Sequence, residues 1–483
     1  MPGPEFATLR DQVAALRAKT ISATELLELS IARIEKYDDK VNAVVVRDFD
    51  RARAAAHLAD AALARGEDAP LLGVPVAVKE SFNVAGLPTT WGIPDAEGWQ
   101  PAEDAALVAR VKAAGGVVVG KTNVPLTLRD WQSYNDIYGT TRNPWDLTRS
   151  PGGSSGGSSA ALAAGYVSLA LGSDVGGSLR IPAHFCGIFA HKPSRTLLPG
   201  RGNTPPRTPT LPAPQDLPVV GPMTRSAADL TMATLLLAGP DDVEAVAYRL
   251  ALRPPRGNKL GDFRILIIDS HPLMPTSAVI RDGIDRVARG LETAGAKVAR
   301  HSELLPDLTL TAKTYLTLLM SQYGADSTPA DRARWAATEF SSDLDTLDAV
   351  TTRAFVASHA DWIRADRVRI GLADEWRRLF GEFDVVLCPI TPTPAFPHDH
   401  SDLATRTIEI DGVAHPYRHH LVWPSIATLL GLPATAAPIG RSPEGLPFGM
   451  QIIGPYLEDH TTLRFAELIE QEFGGFTPPP GFE

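Results

Sequence analysis

Lys79, Ser154 and Ser178 are the residues of this 483-residue chain whose types and settings suit acyl transfer. The two serines stand 24 residues apart, in the clusters Gly152-Gly153-Ser154-Ser155-Gly156-Gly157 and Gly176-Gly177-Ser178. Glycine this dense signals backbone in unusual φ/ψ, or backbone approached closely by another group. Successive amides in such turns converge into an anion-binding concavity. A serine hydroxyl beside one puts a nucleophile next to an oxyanion site. Lys79 ends the apolar run Leu72-Gly73-Val74-Pro75-Val76-Ala77-Val78, so partial burial is expected. Burial without a carboxylate partner lowers a lysine pKa, and a lysine neutral near pH 7 can act as a general base. Glu80 points to the other face of a strand and need not neutralise it. Locally, the plainer readings stay open: a flexible glycine-serine loop, and a strand-end lysine whose ammonium reaches water.

Other patterns point to chemistry less well. Ser155 is central in a G-x-S-x-G match, but a turn-rich loop, 143–151, precedes it where a nucleophile elbow needs a strand. Gly115 to Thr122 (GGVVVGKT) matches a phosphate-binding loop literally. Its three valines read as the strand itself, and Asn123-Val124-Pro125 blocks an immediate helix. His398, Asp399, His400 and Asp402, and the pair His419-His420, lack zinc-site spacing and read as polar surface loops, so no metal is expected. Cys186 and Cys388 sit in apolar settings and read as buried free thiols, suited to the cytoplasm.

The elements that must position these residues alternate between helix and strand, which implies an α/β fold with a parallel or mixed sheet. Two amphipathic helices over 7–37 break at Thr20-Ile21-Ser22, with Ser22 and Glu25 as a capping box. Strands are expected at 72–79 and 117–119, and later at 263–268, 385–389, 434–438 and 448–453. The stretch 199–218 holds seven prolines, and a loop that long often walls a pocket. Residues 313–380 read as mostly helical. One domain over 1–483 is expected, with 72–195 as catalytic core and 313–380 as a peripheral helical segment bordering the substrate.

Apolar content of 44% and charged content of 21% fit a globular enzyme. A net charge of −10 argues against nucleic acid or an anionic membrane as partner. No apolar stretch is long enough for a membrane span, and Met1 to Phe6 shows no secretory leader.

The blocks LLGVPVAVKESFNVAGLPTTWG, SPGGSSGGSSAALAAG, GSDVGGSLRIPAHFCGIFAHKP and GLPFGMQIIGP, together with the serine spacing, resemble the amidase signature family. The resemblance implies a three-layer α/β/α domain around a large mixed β-sheet and a Ser–cis-Ser–Lys triad. Ser178 would be the nucleophile, Ser154 the bridging serine after a cis peptide, and Lys79 the base. The amides of Val175, Gly176, Gly177 and Ser178 would hold the oxyanion. Trp131, Gln132 and Ser155 would touch the substrate, and no cofactor is needed. Family members often have Asp after the lysine, where this chain has Glu80. Ala190-His191 and Ser194 also depart from the usual pattern around the Lys-Pro dipeptide. The expected activity is hydrolysis of linear amides, with esters, anilides or carbamates as further candidates. The alternative is the glutamine-hydrolysing subunit of a tRNA amidotransferase, which resembles this chain but typically carries Gln where Ile181 follows Arg180. The partners expected on this reading are a small-molecule amide-type substrate and a compatible homodimer, without nucleic acid or membrane.

Overall fold

The structure, a computed structural model, describes residues 4–209, 215–325, 327–338 and 345–482. Parts of the expected loop 199–218 and helical segment 313–380, as well as residues 1–3, lie outside the described residues. In chain order the strands are β1 (Val44–Arg47), β2 (Pro75–Lys79), β3 (Val117–Thr122), β4 (Tyr134–Asn135), β5 (Gly139–Thr140), β6 (Leu169–Asp174), β7 (Phe189–Lys192) and β8 (Val219–Thr224). They continue with β9 (Arg264–Ile267), β10 (Lys297–Ala299), β11 (Val385–Pro389), β12 (Thr407–Ile410), β13 (Val413–Pro416), β14 (Ala434–Arg441) and β15 (Pro447–Ile453).

Eleven of these strands form one sheet in the order β1-β3-β2-β6-β8-β7-β14-β15-β11-β9-β10. β2 runs parallel to both β3 and β6, β9 runs parallel to β10 and β11, and antiparallel pairs join the two parallel blocks. The sheet is therefore mixed, as the helix–strand alternation implied. Side-chain alternation shows both of its faces covered. On β11, Val385 and Leu387 enter one core with Ile265 and Phe465, while Val386 and Cys388 enter another with Leu266 and Trp376. Helices cover each face, and the result is three layers.

Local signals hold near the start of the chain. Helices occupy Leu9–Arg17 and Ala23–Val41, and Ser22 forms the capping box with Glu25. The GGVVVGKT stretch is strand through Thr122, and its Lys121 is buried, donating to Thr89 Oγ1 at 2.7 Å. Phosphate binding by that stretch is thereby set aside. Cys186 and Cys388 are buried free thiols. Among the described residues, no helix is long and apolar enough to cross a membrane.

Candidate active site

β2 delivers Lys79 at its C-terminal end, and the parallel register Val78↔Leu171 brings the end of β6 alongside. Lys79 is fully buried. Its Nζ donates to Ser154 Oγ at 2.7 Å and to Ser173 Oγ at 2.9 Å. Burial drives the Lys79 pKa down from 10.5 to about 7, with the Asp174 carboxylate opposing the shift. Ser173 is a site residue that sequence reasoning misses. Its only signal is a serine lying three residues before the second glycine cluster.

Ser154 sits ahead of the helix Gly156–Ala163, and the Gly153–Ser154 peptide is cis. Gly153 is required by close approach, since a Cβ there would stand 2.4 Å from the Asp130 carbonyl oxygen. Gly177 is required on two counts: its φ is +92°, and a Cβ would meet Ile181 and Pro424 at 2.8 and 2.9 Å. These contacts explain why glycine recurs where the chain must fold tightly around its serines.

The loop carrying Ser178 is held by Asp174. Its Oδ1 accepts the Gly177 N–H at 3.0 Å and its Oδ2 the Leu179 N–H at 3.1 Å. Arg180, wholly buried, grips both oxygens, with Nε to Oδ2 at 3.0 Å and Nη2 to Oδ1 at 2.8 Å. The same guanidinium donates to Gln451 Oε1 and Thr428 Oγ1, both at 2.8 Å. Burial pushes the Asp174 pKa up, but the Arg180 charge and hydrogen bonds outweigh it and hold the carboxyl below its ordinary range.

Gly177 is expected from sequence to be an oxyanion donor, but its N–H is already committed to Asp174. Among the described residues, the amides of Val175, Gly176 and Ser178 have no acceptor within the chain. The Ser178 hydroxyl likewise makes no hydrogen bond there, and its carbonyl accepts the Ser155 N–H at 3.2 Å. The structure thus joins Lys79 to Ser154 directly and brings Ser178 to the neighbouring loop without a hydroxyl–hydroxyl bond.

Ser178, Val175 and Gly176 open onto a cavity of about 260 Å³ walled mainly by apolar side chains, including Trp131, Leu316, Leu319, Met320, Phe355 and Leu421. Leu316, Leu319, Met320 and Phe355, which line it, belong to the segment 313–380. Among the described residues the one acid on its wall, Asp130, is paired with Arg406 at 2.7 Å and accepts the Tyr417 hydroxyl at 2.7 Å. A larger, open groove of about 1210 Å³ lies by Phe396 and His398, but it contains none of Lys79, Ser154 or Ser178.

Of the three residues expected to touch substrate, Trp131 lines the cavity. Gln132 does not line it. It is buried and clips the Asp399 backbone, donating to its carbonyl at 2.6 Å and accepting its N–H at 2.9 Å. Ser155 does not either, because its hydroxyl donates to the Ser173 carbonyl at 3.2 Å beneath the loop. Both buried polar side chains are instead satisfied by backbone groups.

The departures His191 and Ser194 resolve into a buried network. His191 Nε2 and Asp459 Oδ1 are 3.0 Å apart, and Ser194 Oγ donates to Asp459 Oδ2 at 2.6 Å. The serine points at the carboxylate and not at the imidazole, so this Ser-His-Asp grouping ties the last helix to β7 and carries no nucleophile. In the histidine loop, His400 stacks on Tyr134 with ring centroids 3.8 Å apart.

A family model described as Amidase matches residues 25–463. A glutamyl-tRNA(Gln) amidotransferase subunit from Anaeromyxobacter sp. (strain K) is 34% identical, with 98% of this chain and 97% of the relative covered. Among solved structures, one described as a vestigial protein complex revealing the origins of an s-triazine catabolic enzyme superposes with TM-score 0.81 at 29% identity, covering 96% of this chain and 98% of that one. A bacterial aryl acylamidase of the amidase signature family superposes with TM-score 0.80 at 24% identity, covering 97% and 96%, and supports the fold alone. These findings overturn the expectation of a chain partnered only by a small molecule and a second copy of itself. The matched relative is named as one subunit of an assembly for a tRNA substrate, and a solved neighbour is named as a complex. Net charge sums over a whole surface, so it tests neither a local patch nor the presence of another protein in an assembly.

Proposed function

Since the chain belongs to the amidase family, we propose that it hydrolyses the carbon–nitrogen bond of a carboxylic amide through an acyl-enzyme on Ser178. The observation that carries this reading is the buried contact of 2.7 Å between Lys79 Nζ and Ser154 Oγ, at a lysine brought down to about 7. Neutral Lys79 takes the Ser154 proton while Ser154 takes that of Ser178. The Ser178–Ser154 hydroxyl contact is expected to form when substrate binds, since catalytic hydrogen bonds commonly tighten then. Ser178 Oγ then attacks the carbonyl carbon, and the free amides of Val175, Gly176 and Ser178 receive the oxyanion. Each such donor supplies about 3–4 kcal/mol at the transition state. The relay returns the proton to the leaving amine, and water, deprotonated by the same path, releases the acid.

Two substrates fit different observations. The apolar cavity wall supports an amide with an aliphatic or aryl portion, and extends to anilides, esters or carbamates. The relatives by sequence support the second reading, the glutamine-hydrolysing subunit of a tRNA amidotransferase, more strongly than a free-standing hydrolase. The test is ammonia or amine release by the purified chain from glutamine and from a panel of anilides, short amides, esters and carbamates, with and without the other subunits of an amidotransferase. Turnover of apolar amides by the chain alone favours the first reading. Release from glutamine that depends on those other subunits favours the second. Activity that survives Ser178→Ala refutes both.

A further inference from the structure

We propose that Tyr315 is a positioning residue for the oxyanion site, its hydroxyl orienting and polarising the peptide that presents the Gly176 N–H. The inference rests on Ser178 as nucleophile, the reading given above. Tyr315 lies on the helix Leu308–Ala325, 140 residues along the chain from the loop it touches, and its ring is fully buried. Its Oη donates to the Val175 carbonyl at 2.7 Å. That carbonyl and the Gly176 N–H are the two ends of one planar peptide. A donor on the oxygen draws density through the plane and strengthens the N–H as a donor, by about 10–30% per bond.

The following peptide is fixed in the same way. Trp131 Nε1 donates to the Gly176 carbonyl at 2.8 Å, and the Gly177 N–H at its other end is held by Asp174 at 3.0 Å. Both peptide planes flanking Gly176 are therefore locked, and of their two amides only that of Gly176 has no acceptor among the described residues. Packing alone does not require the hydroxyl, because phenylalanine would fill the same ring volume. A phenol oxygen buried here is costly unless bonded, and its bond goes to this carbonyl. Burial, then Tyr323 and Asp174, raise the Tyr315 pKa well above its ordinary value, so it stays a donor at every working pH. The same helix contributes Leu316, Leu319 and Met320 to the cavity wall. Wall and oxyanion loop thus share one support.

The test is Tyr315→Phe, read first by the rate at which a fluorophosphonate labels Ser178. Ser178 Oγ forms a bond to phosphorus, fluoride leaves, and the serine proton passes into the Ser154–Lys79 relay. Charge gathers meanwhile on the phosphoryl oxygen at the same amides. Loss of a direct donor slows such steps by about 100–1000-fold, so loss of an indirect one is expected to slow labelling by about 3–30-fold. With the best amide of the panel, kcat should fall by a similar factor while KM stays within about twofold, since the bond matters only as charge develops. The melting temperature should move by no more than about 2 °C. Labelling and kcat within twofold of wild type overturn the proposal. So does a change confined to KM, or a slowing that comes with loss of the fold, which assigns the hydroxyl to structure alone. If the wild type is not labelled at Ser178, the nucleophile assignment itself fails, an outcome separable from failure of Tyr315.

Discussion

Replacing Lys79 with methionine removes a charge while nearly conserving volume, and the structure sets the size of the effect. Lys79 carries a pKa near 10.5 in the unfolded chain and about 7 when buried. Between those values the unfolded state binds a proton that the folded state does not, so stability rises with pH through that window. Above 10.5 the group contributes nothing; below 7 its full penalty is present. At about 1.4 kcal/mol per pH unit, the wild type carries about 4–5 kcal/mol of penalty at pH 7 and about 2 kcal/mol at pH 9. Methionine carries none. It does forfeit the hydrogen bonds to Ser154 and Ser173, which cost about 1–3 kcal/mol for each group left unsatisfied, but that loss is nearly the same at both pH values. The stability of Lys79→Met relative to wild type should therefore be about 2–3 kcal/mol more favourable at pH 7 than at pH 9. Urea unfolding followed by tryptophan fluorescence, on both proteins at both pH values, measures this difference. The same variant should lose about 100–10,000-fold in kcat. Wild-type kcat/KM should rise through an apparent pKa near 7 to a plateau. A stability difference unchanged between pH 7 and 9, with an activity limb near that of free lysine, would show Lys79 charged and refute the relay.

Ser173→Ala removes an acceptor that favours the ammonium form, so the acid limb of kcat/KM should move below the wild-type value, and a pH–rate profile reads the shift. Asp174→Asn leaves Arg180 buried without its carboxylate. We expect about 3–5 kcal/mol of lost stability by urea unfolding and a severe loss of turnover as the Ser178 loop loosens. Ser178→Ala should abolish turnover with the melting temperature nearly unchanged, and a sulfonyl fluoride should add mass to the wild-type peptide holding Ser178 and not to the variant. EDTA should leave the rate unchanged, because the mechanism assigns charge stabilisation to backbone amides and proton transfer to Lys79. Recovery of a chelated enzyme by zinc would reopen the histidine loop at His398 and His400.

What the sequence determined by itself was local chemistry. The lysine ending an apolar run, the paired glycine-serine clusters and the Ser22–Glu25 cap depend on a few neighbouring residues; the structure buries Lys79 against Ser154 and forms the cap. Three strands at the sheet centre were not legible. β6 reads LALGSD, β7 reads FAHK, and β8 contains Gly221 and Pro222, which argue against a central strand on local grounds. They pair because their neighbours supply partners on both edges, and tertiary burial overrides propensity. Site contacts across long sequence separations were invisible for the same reason. Arg180 meets Gln451 across 271 residues, and Tyr315 meets Val175 across 140. Gln132, read as a substrate contact, satisfies a backbone 267 residues away. Residue type announces that a hydroxyl or guanidinium needs a partner, but only the folded chain decides which buried group is near enough to be that partner, because an unbonded polar group in the interior is too costly to leave.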